Sequence, residues 1–164
     1  QQALEKLDFQ TAGDELLRAI ELQPRNFMYA DGMALVYQEG GLYDLALSEM
    51  DRGAQLQPGN GYQALAVAEA AVSLGRHTEA ANWSEHALVY EPNGASVLAG
   101  SAAVLSKAGR VDRAEILLAE FELLQSTNLG AWLKASEAYR ALGHHHKALR
   151  AEVCSQYLQV GCWD

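Results

Sequence analysis

The prolines of this chain recur at one fixed interval. Its three prolines, Pro24, Pro58 and Pro92, lie 34 residues apart. An alanine stands twelve residues before each proline, and the same interval continues to two further alanines: Ala12, Ala46, Ala80, Ala114 and Ala148. Self-similarity with a period of about 20 to 50 residues is typical of repeat architectures. The sequence therefore predicts a repeated structural unit rather than a single irregular core.

Each unit also carries a residue that should end a helix. Gly41, Gly75, Gly109 and Gly143 each stand five residues before one of the alanines, and Leu7 takes that place in the first unit. Glycine adopts a left-handed backbone without steric cost, so it commonly terminates helices. Apolar residues recur every three or four positions on both sides of the glycine, as in helices with one buried face. We predict two helices per unit, with proline closing the second.

Small residues stand where the two helices of a unit should cross. We expect Ala34 to face Ala46, and Ala68 to face Ala80. Small side chains at these points allow the helix axes to approach closely, and a larger residue would overpack the crossing.

These landmarks resemble those of the tetratricopeptide repeat (TPR). Two frames carry most of the matching residues, namely Trp132, Tyr139, Gly143 and Ala148 in one, and Tyr37, Gly41, Tyr43, Ala46 and Pro58 in the other. The resemblance covers essentially the whole chain and implies an all-α fold, a right-handed α-solenoid of stacked antiparallel helix pairs. It divides residues 1–164 into a single array of about four and a half frames: 1–26 (partial), 27–60, 61–94, 95–128 and 129–162.

The fourth frame departs from the pattern. Ser126 replaces the closing proline, and Phe121 stands where earlier frames have Ala19, Gly53 and Ala87. A ring at this crossing should separate or re-angle the last two repeats. We therefore predict a local change of superhelical curvature near residues 118–132.

Composition excludes several classes of function. The chain has 12 Lys and Arg against 21 Asp and Glu, a formal net charge of −9. Binding to nucleic acid requires clustered basic residues, and spanning a bilayer requires an apolar run of roughly 20 residues. No serine stands in a nucleophile elbow, and no glycine-rich loop is placed to hold phosphate. We predict no enzyme, no cofactor, no metal site, no nucleic-acid partner and no direct membrane insertion.

Two local features could nevertheless carry chemistry. His144, His145 and His146 fall in the last predicted turn, where they could bind a metal weakly or form a solvated polar turn, and we favour the turn. Cys154 and Cys162 could close a small disulfide loop only if the helix broke between them, so we expect free thiols.

The TPR resemblance implies a concave groove lined by the first helix of each repeat. Its predicted partner-binding residues are Met28, Asp31, Leu35, Tyr62, Leu65, Ala66, Glu69, Val72, Ala99, Gly100, Ala103, Leu133, Lys134 and Glu137. The groove is nearly neutral, apolar in its middle, and bare around Gly100. It lacks the Lys, Asn and Arg with which one class of the family grips a C-terminal carboxylate. We expect a partner peptide or helix with apolar anchors; the alternative is that the small residues only allow tight packing between repeats.

A second surface is conceivable on the second helices. Trp83 occupies a position held by Glu15 and Glu49 in earlier frames, and Leu117 is its equivalent one repeat later. The two could form an outer apolar patch, whereas ordinary packing against the next repeat is the simpler explanation. Trp163, near the end of the chain, should need cover from further chain or a partner.

The sequence thus predicts a non-catalytic protein–protein interaction scaffold. Low Lys relative to Arg, with high Ala, Leu and Gly, suggests a bacterial source, in the cytoplasm or periplasm. In bacteria the family often serves secretion, pilus, polysaccharide-export or envelope assembly. The alternatives are a regulatory or substrate-recruiting module of a larger enzyme and a self-associating scaffold. Because the chain begins with Gln1, we expect a fragment of a longer protein.

Overall fold

The computed structural model of the chain describes residues 2–157 and 162, and for residues 2–9 it describes the backbone alone. Trp163 therefore lies outside the described residues. Within them the chain forms helices and no strand, which confirms the predicted all-α class. The helices are α1 (Gln2–Leu22), α2 (Phe27–Glu39), α3 (Tyr43–Leu56), α4 (Gly61–Ser73), α5 (His77–Tyr90), α6 (Ala95–Lys107), α7 (Val111–Leu123), α8 (Leu129–Ala141) and α9 (His145–Gln156).

The helices group into two compact units. Unit 1 (Gln1–Gly59) contains α1 to α3, and unit 2 (Asn60–Asp164) contains α4 to α9. In unit 1, α2 packs against both α1 and α3. In unit 2 the helices of each pair pack together, α4 with α5, α6 with α7 and α8 with α9, and α6 packs against α4, α5 and α8.

The predicted glycines end the first helix of each pair. Gly41, Gly75, Gly109 and Gly143 have φ angles of +73°, +74°, +77° and +79°. The residue after each glycine donates its backbone N–H to the carbonyl five residues earlier, as Arg76 does at 2.9 Å. This bond is typical of a helix closed by a left-handed glycine. The first frame lacks the glycine, and there the backbone of α1 continues without a turn.

Asparagine side chains begin three of the first helices, a feature that the proline pattern alone did not predict. The side-chain oxygens of Asn26, Asn60 and Asn128 each accept a hydrogen bond of 3.1 Å from a backbone N–H in the first turn. Each stands two residues after Pro24, Pro58 or Ser126. The linker between repeats therefore ends one helix and begins the next. The asparagine oxygen supplies the hydrogen-bond partner that a backbone N–H in the first helical turn would otherwise lack.

Where the linker lacks proline, an indole holds it instead. The ring nitrogen of Trp132 donates to the carbonyl oxygen of Ser126 at 2.8 Å, and the Phe121 ring packs edge-on against Trp132 with centroids 4.8 Å apart. Gln125 takes a left-handed φ of +46°. Helix α8 packs mainly on α6 and α9 and touches α7 little, whereas α6 packs closely on α5. The separation of the last two repeats and the change of curvature near residues 118–132 both stay predictions.

The expectation of free thiols is wrong. Cys154 and Cys162 are joined by a disulfide, with their Cα atoms 5.8 Å apart. Helix α9 ends at Gln156, and Tyr157 has an extended backbone. The helix therefore breaks between the two cysteines, which is the condition that such a short loop requires.

The alanines at the predicted helix crossings are buried. Ala68 and Ala80 of unit 2 are fully buried, and Ala34 and Ala46 of unit 1 are 4% and 2% exposed. At these positions a longer side chain has no room without moving a helix, because protein interiors are close-packed.

We predict that Ala80→Leu lowers the free energy of unfolding by about 1–3 kcal/mol, because three added carbons overpack the crossing. Asn82→Leu is the control, because it places the same leucine at an exposed position of the same helix and should change stability by no more than about 0.5 kcal/mol. Urea denaturation followed by circular dichroism measures both. Equal stability of the two variants would contradict the crossing.

Candidate partner-binding face

The first helices of unit 2 form one continuous face. Helix α6 lies between α4 and α8 and contacts both. We call this surface the first-helix face; it carries the part of the predicted groove that falls in unit 2.

The predicted residues differ in how far they are exposed. Tyr62 and Leu133 present 56% and 48% of their surface to solvent. Five others are half-buried, namely Ala66, Glu69, Val72, Lys134 and Glu137. Four are buried, namely Leu65, Ala99, Gly100 and Ala103.

The space above the small residues of α6 is occupied by a side chain of the protein itself. A Cβ atom on Gly100 would lie 2.6 Å from Cδ2 of Leu65, so the leucine of α4 packs directly onto the glycine of α6. Leu65 is only 7% exposed as a result. The prediction of Leu65 as an anchor for a partner is therefore wrong, as is the expected open space at Gly100. Here the small residues serve packing between repeats.

Charged side chains meet above this packed stretch. The Lys134 ammonium on α8 lies 2.8 Å from a Glu69 carboxylate oxygen on α4, so the pair reaches across α6. Lys107 on α6 and Glu137 on α8 form a second pair at 3.4 Å. The first pair can form because the residues of α6 beneath it, such as Ala103, are too small to separate the two side chains. The predicted apolar middle is thus a charge network.

A cavity of about 210 Å³ lies within this network. Aliphatic side chains and two acid–base pairs line it: Glu69, Val72, Ser73, Ala103, Val104, Lys107, Lys134 and Glu137. Most of the surface that this cavity exposes is polar, so it offers mainly charged and hydrogen-bonding groups to a bound segment.

The network changes the ionisation of Lys134. Burial lowers the pKa of its ammonium, but the hydrogen bond with Glu69 and the charges of Glu69 and Glu137 together outweigh burial and raise the pKa above its ordinary value. A raised lysine pKa stabilises the folded state at pH below the ordinary value, and this contribution disappears as the pH rises through the folded value. Lys134 is therefore positively charged at neutral pH.

The unit 1 portion of the prediction lies on α2. Met28 and Leu35 are 64% and 62% exposed, and Asp31 is half-buried. The two apolar side chains are therefore accessible to a partner at unit 1.

Trp83 and Leu117 do not form the predicted outer apolar patch. Leu117 is 1% exposed, because it points into the core of unit 2. Trp83 is half-buried, and its ring meets the His86 ring edge-on at a centroid distance of 5.3 Å. The simpler alternative, ordinary packing, accounts for Leu117.

A second cavity, about 270 Å³, was not predicted. Residues of α7, α8 and α9 and the turn before α9 line it: Glu115, Leu118, Ala119, Glu122, Tyr139, His144 and Lys147. These residues come from two successive repeats, so their approach depends on how the helices stack.

Glu122 is central to this second cavity. It accepts a hydrogen bond of 2.5 Å from the Tyr139 hydroxyl and also contacts the Arg150 guanidinium. Burial raises the pKa of Tyr139 well above its ordinary value, and the bond to Glu122 and the charge of Glu122 raise it further against the opposing effect of Arg150. The phenol therefore stays protonated, as its role as donor requires.

The three histidines lie at the start of α9. His144 precedes the helix and lies 3.1 Å from a Glu115 carboxylate oxygen, while His145 and His146 are exposed in its first turn. Among residues 2–157 and 162, no three His, Cys, Asp or Glu side chains are grouped so as to hold a metal ion.

Solved structures with this arrangement of helices are known. MamA from Desulfovibrio magneticus RS-1 superposes with a TM-score of 0.67 at 12% identity, over 96% of this chain and 89% of that one. YrrB, described as a TPR protein with an unusual peptide-binding site, superposes with a TM-score of 0.65 at 18% identity, over 93% and 78%. This chain has the TPR fold. The Cut9–Hcn1 hetero-tetramer of the APC/C matches similarly, with a TM-score of 0.64 at 18% identity, over 93% of this chain and 31% of that one.

No protein-family model matches the sequence, and no curated protein matches it significantly. The TPR fold is therefore recognised here through the structure and through the spacing of a few residues.

In the part of the chain that the structure describes, no helix combines the length and the apolar character needed to cross a bilayer.

We predict that Glu69→Gln lowers the pKa of Lys134, because the substitution removes the charge that opposes burial while burial itself remains. Glu137→Gln is the matched control and should lower the pKa less, since Glu137 acts on Lys134 only through its charge. Titration of the lysine side-chain carbon signals by NMR measures both. An unchanged pKa in the Glu69 variant would show that the two side chains do not meet above α6.

Proposed function

We propose that the chain is a non-catalytic interaction scaffold that holds an extended segment or helix of a partner protein on the first-helix face of unit 2. The apolar anchors of the segment lie against the exposed Tyr62 and Leu133, and its polar groups face the cavity of the charge network. The surrounding charge pairs form hydrogen bonds with its polar groups.

One observation carries this proposal. The cavity lies on the face that the TPR resemblance assigns to partners, and the Glu69–Lys134 and Lys107–Glu137 pairs line it. A surface that served only packing between repeats would bury its aromatic and leucine side chains, whereas Tyr62 and Leu133 are about half exposed.

The solved structures support the proposal by analogy. YrrB, whose fold this chain shares, has a peptide-binding site by its description. Bacterial secretion, pilus, polysaccharide-export or envelope assembly, the pathways that the family resemblance implies, would require such a scaffold to bind a segment of another component.

The partner is unidentified, so the test uses peptides of about 12 residues selected from a random display library on the unmodified chain. We expect Tyr62→Glu with Leu133→Glu to weaken binding of the selected peptides by at least about tenfold, roughly 1.4 kcal/mol, as measured by fluorescence anisotropy. The cause is a carboxylate brought against each apolar anchor.

The matched control is Val89→Glu with Leu123→Glu, which places the same charges on the second helices. Val89 and Leu123 are 75% and 83% exposed, so their replacement should leave the fold intact. Peptide binding should stay within about twofold of the unmodified chain. Equal losses in both double variants, with helicity retained in each, would exclude the first-helix face as the binding surface.

A further inference from the structure

The charges that line the cavity of the first-helix face balance one another. Lys134 pairs with Glu69 at 2.8 Å, Lys107 pairs with Glu137 at 3.4 Å, and all four side chains border the same space of about 210 Å³. A charged group of a partner would therefore meet attraction and repulsion together, and it would also lose its hydration. The cavity thus favours a polar group that carries no net charge.

The Glu69–Lys134 pair retains capacity for further hydrogen bonds. An ammonium group has three N–H donors, and a carboxylate accepts several hydrogen bonds through its two oxygens. One contact between the two groups cannot use all of this capacity, and each side chain is 36% exposed. Ser73, which also lines the cavity, donates its hydroxyl to the backbone carbonyl of Glu69 at 2.9 Å and leaves the carboxylate available. The pair can therefore donate to a bound group and accept from it at the same time.

A primary carboxamide, the end group of Asn and Gln side chains, matches such a pair. It carries an oxygen that accepts and an amino group that donates, and it has no formal charge. The oxygen and one N–H lie on the same edge of the group, so it can accept from the ammonium and donate to the carboxylate without separating them. A trans peptide group has its oxygen and its N–H on opposite sides, so one backbone amide cannot make both bonds.

We infer that the cavity recognises the carboxamide of an Asn or Gln side chain in the partner segment, bound by Glu69 and Lys134 together. The inference rests on the proposed function, because the apolar anchors of the segment at Tyr62 and Leu133 bring the carboxamide to the cavity. It adds to that function the chemical class of the polar group that the face selects.

The test uses those display-selected peptides that bind the unmodified chain and lose affinity for the double variant Tyr62→Glu with Leu133→Glu. Each should contain an Asn or Gln whose replacement by the corresponding acid weakens binding at least about tenfold, as measured by fluorescence anisotropy. The cause is the loss of the hydrogen bond donated to Glu69 and the approach of a like charge to its carboxylate.

Removing one member of the pair should change which side chain the cavity prefers. Lys134→Met leaves the negative charges in excess, so the affinity for a peptide with Lys in place of the carboxamide should rise at least about tenfold relative to that for the original peptide. Glu69→Gln leaves the positive charges in excess and should favour the acidic peptide by a similar factor.

Arg113→Met is the matched control. Arg113 of α7 pairs with Glu85 of α5 at 3.0 Å, so it belongs to an acid–base pair between successive repeats that does not line the cavity. Its replacement should leave the relative affinities for the amide, acidic and basic peptides within about twofold of those of the unmodified chain.

Two results would overturn the inference while the proposed function stands. Peptides that depend on Tyr62 and Leu133 could bind equally well with the carboxamide or with its acid, or Lys134→Met could leave the preference unchanged. If no selected peptide depends on Tyr62 and Leu133, the proposed function fails and the inference fails with it.

Discussion

Small side chains set how closely the helices of this protein pack. Within unit 2, Ala68 of α4 and Ala80 of α5 are fully buried, and Leu65 of α4 packs on Gly100 of α6. Such contacts gain dispersion energy and remove apolar area from water without a large side chain on both sides. They also explain the alanine-rich composition, because every repeat needs its own crossing residues.

The same constraint determines the chemistry of the first-helix face. Because α6 carries small residues between α4 and α8, Glu69 and Lys134 can meet at 2.8 Å above it. An exposed surface pair contributes little to stability, commonly below about 1 kcal/mol. Its consequence is to line a cavity with groups of both charges. The formal charge of −9 is thus no guide to this face, where acids and bases are paired.

The sequence predicted the features that depend on local backbone requirements. Whether a glycine ends a helix depends on its own backbone conformation and not on the neighbouring repeat. Each of the four predicted glycines ends its helix where the sequence predicted. The asparagine caps were equally local and could have been found from the recurrent Pro-x-Asn spacing at Asn26 and Asn60. The unbroken backbone of α1 follows from Leu7, which lacks the freedom of glycine.

The errors arose where one repeat meets another. The position of Leu65 within its repeat predicts a residue exposed in the groove. Its burial is explained only by Gly100 of the next repeat, which leaves room for the leucine side chain. Leu117 was compared with exposed acids at equivalent positions, but it lies in the core of unit 2. The cysteine prediction failed because it required the end of α9 to be known to within a few residues, and such boundaries are the least reliable part of sequence reasoning.

Nuclear Overhauser effects between the methyl groups of Leu65 and the α-protons of Gly100 show directly whether Leu65 fills the space above Gly100. The structure places a Leu65 methyl carbon 2.6 Å from where a Cβ of Gly100 would stand, so strong cross-peaks are expected. Their absence from a well-resolved spectrum of the folded chain, with Leu65 methyl signals at solvent-exposed positions, would show that Leu65 does not pack on Gly100 and that the groove is open there.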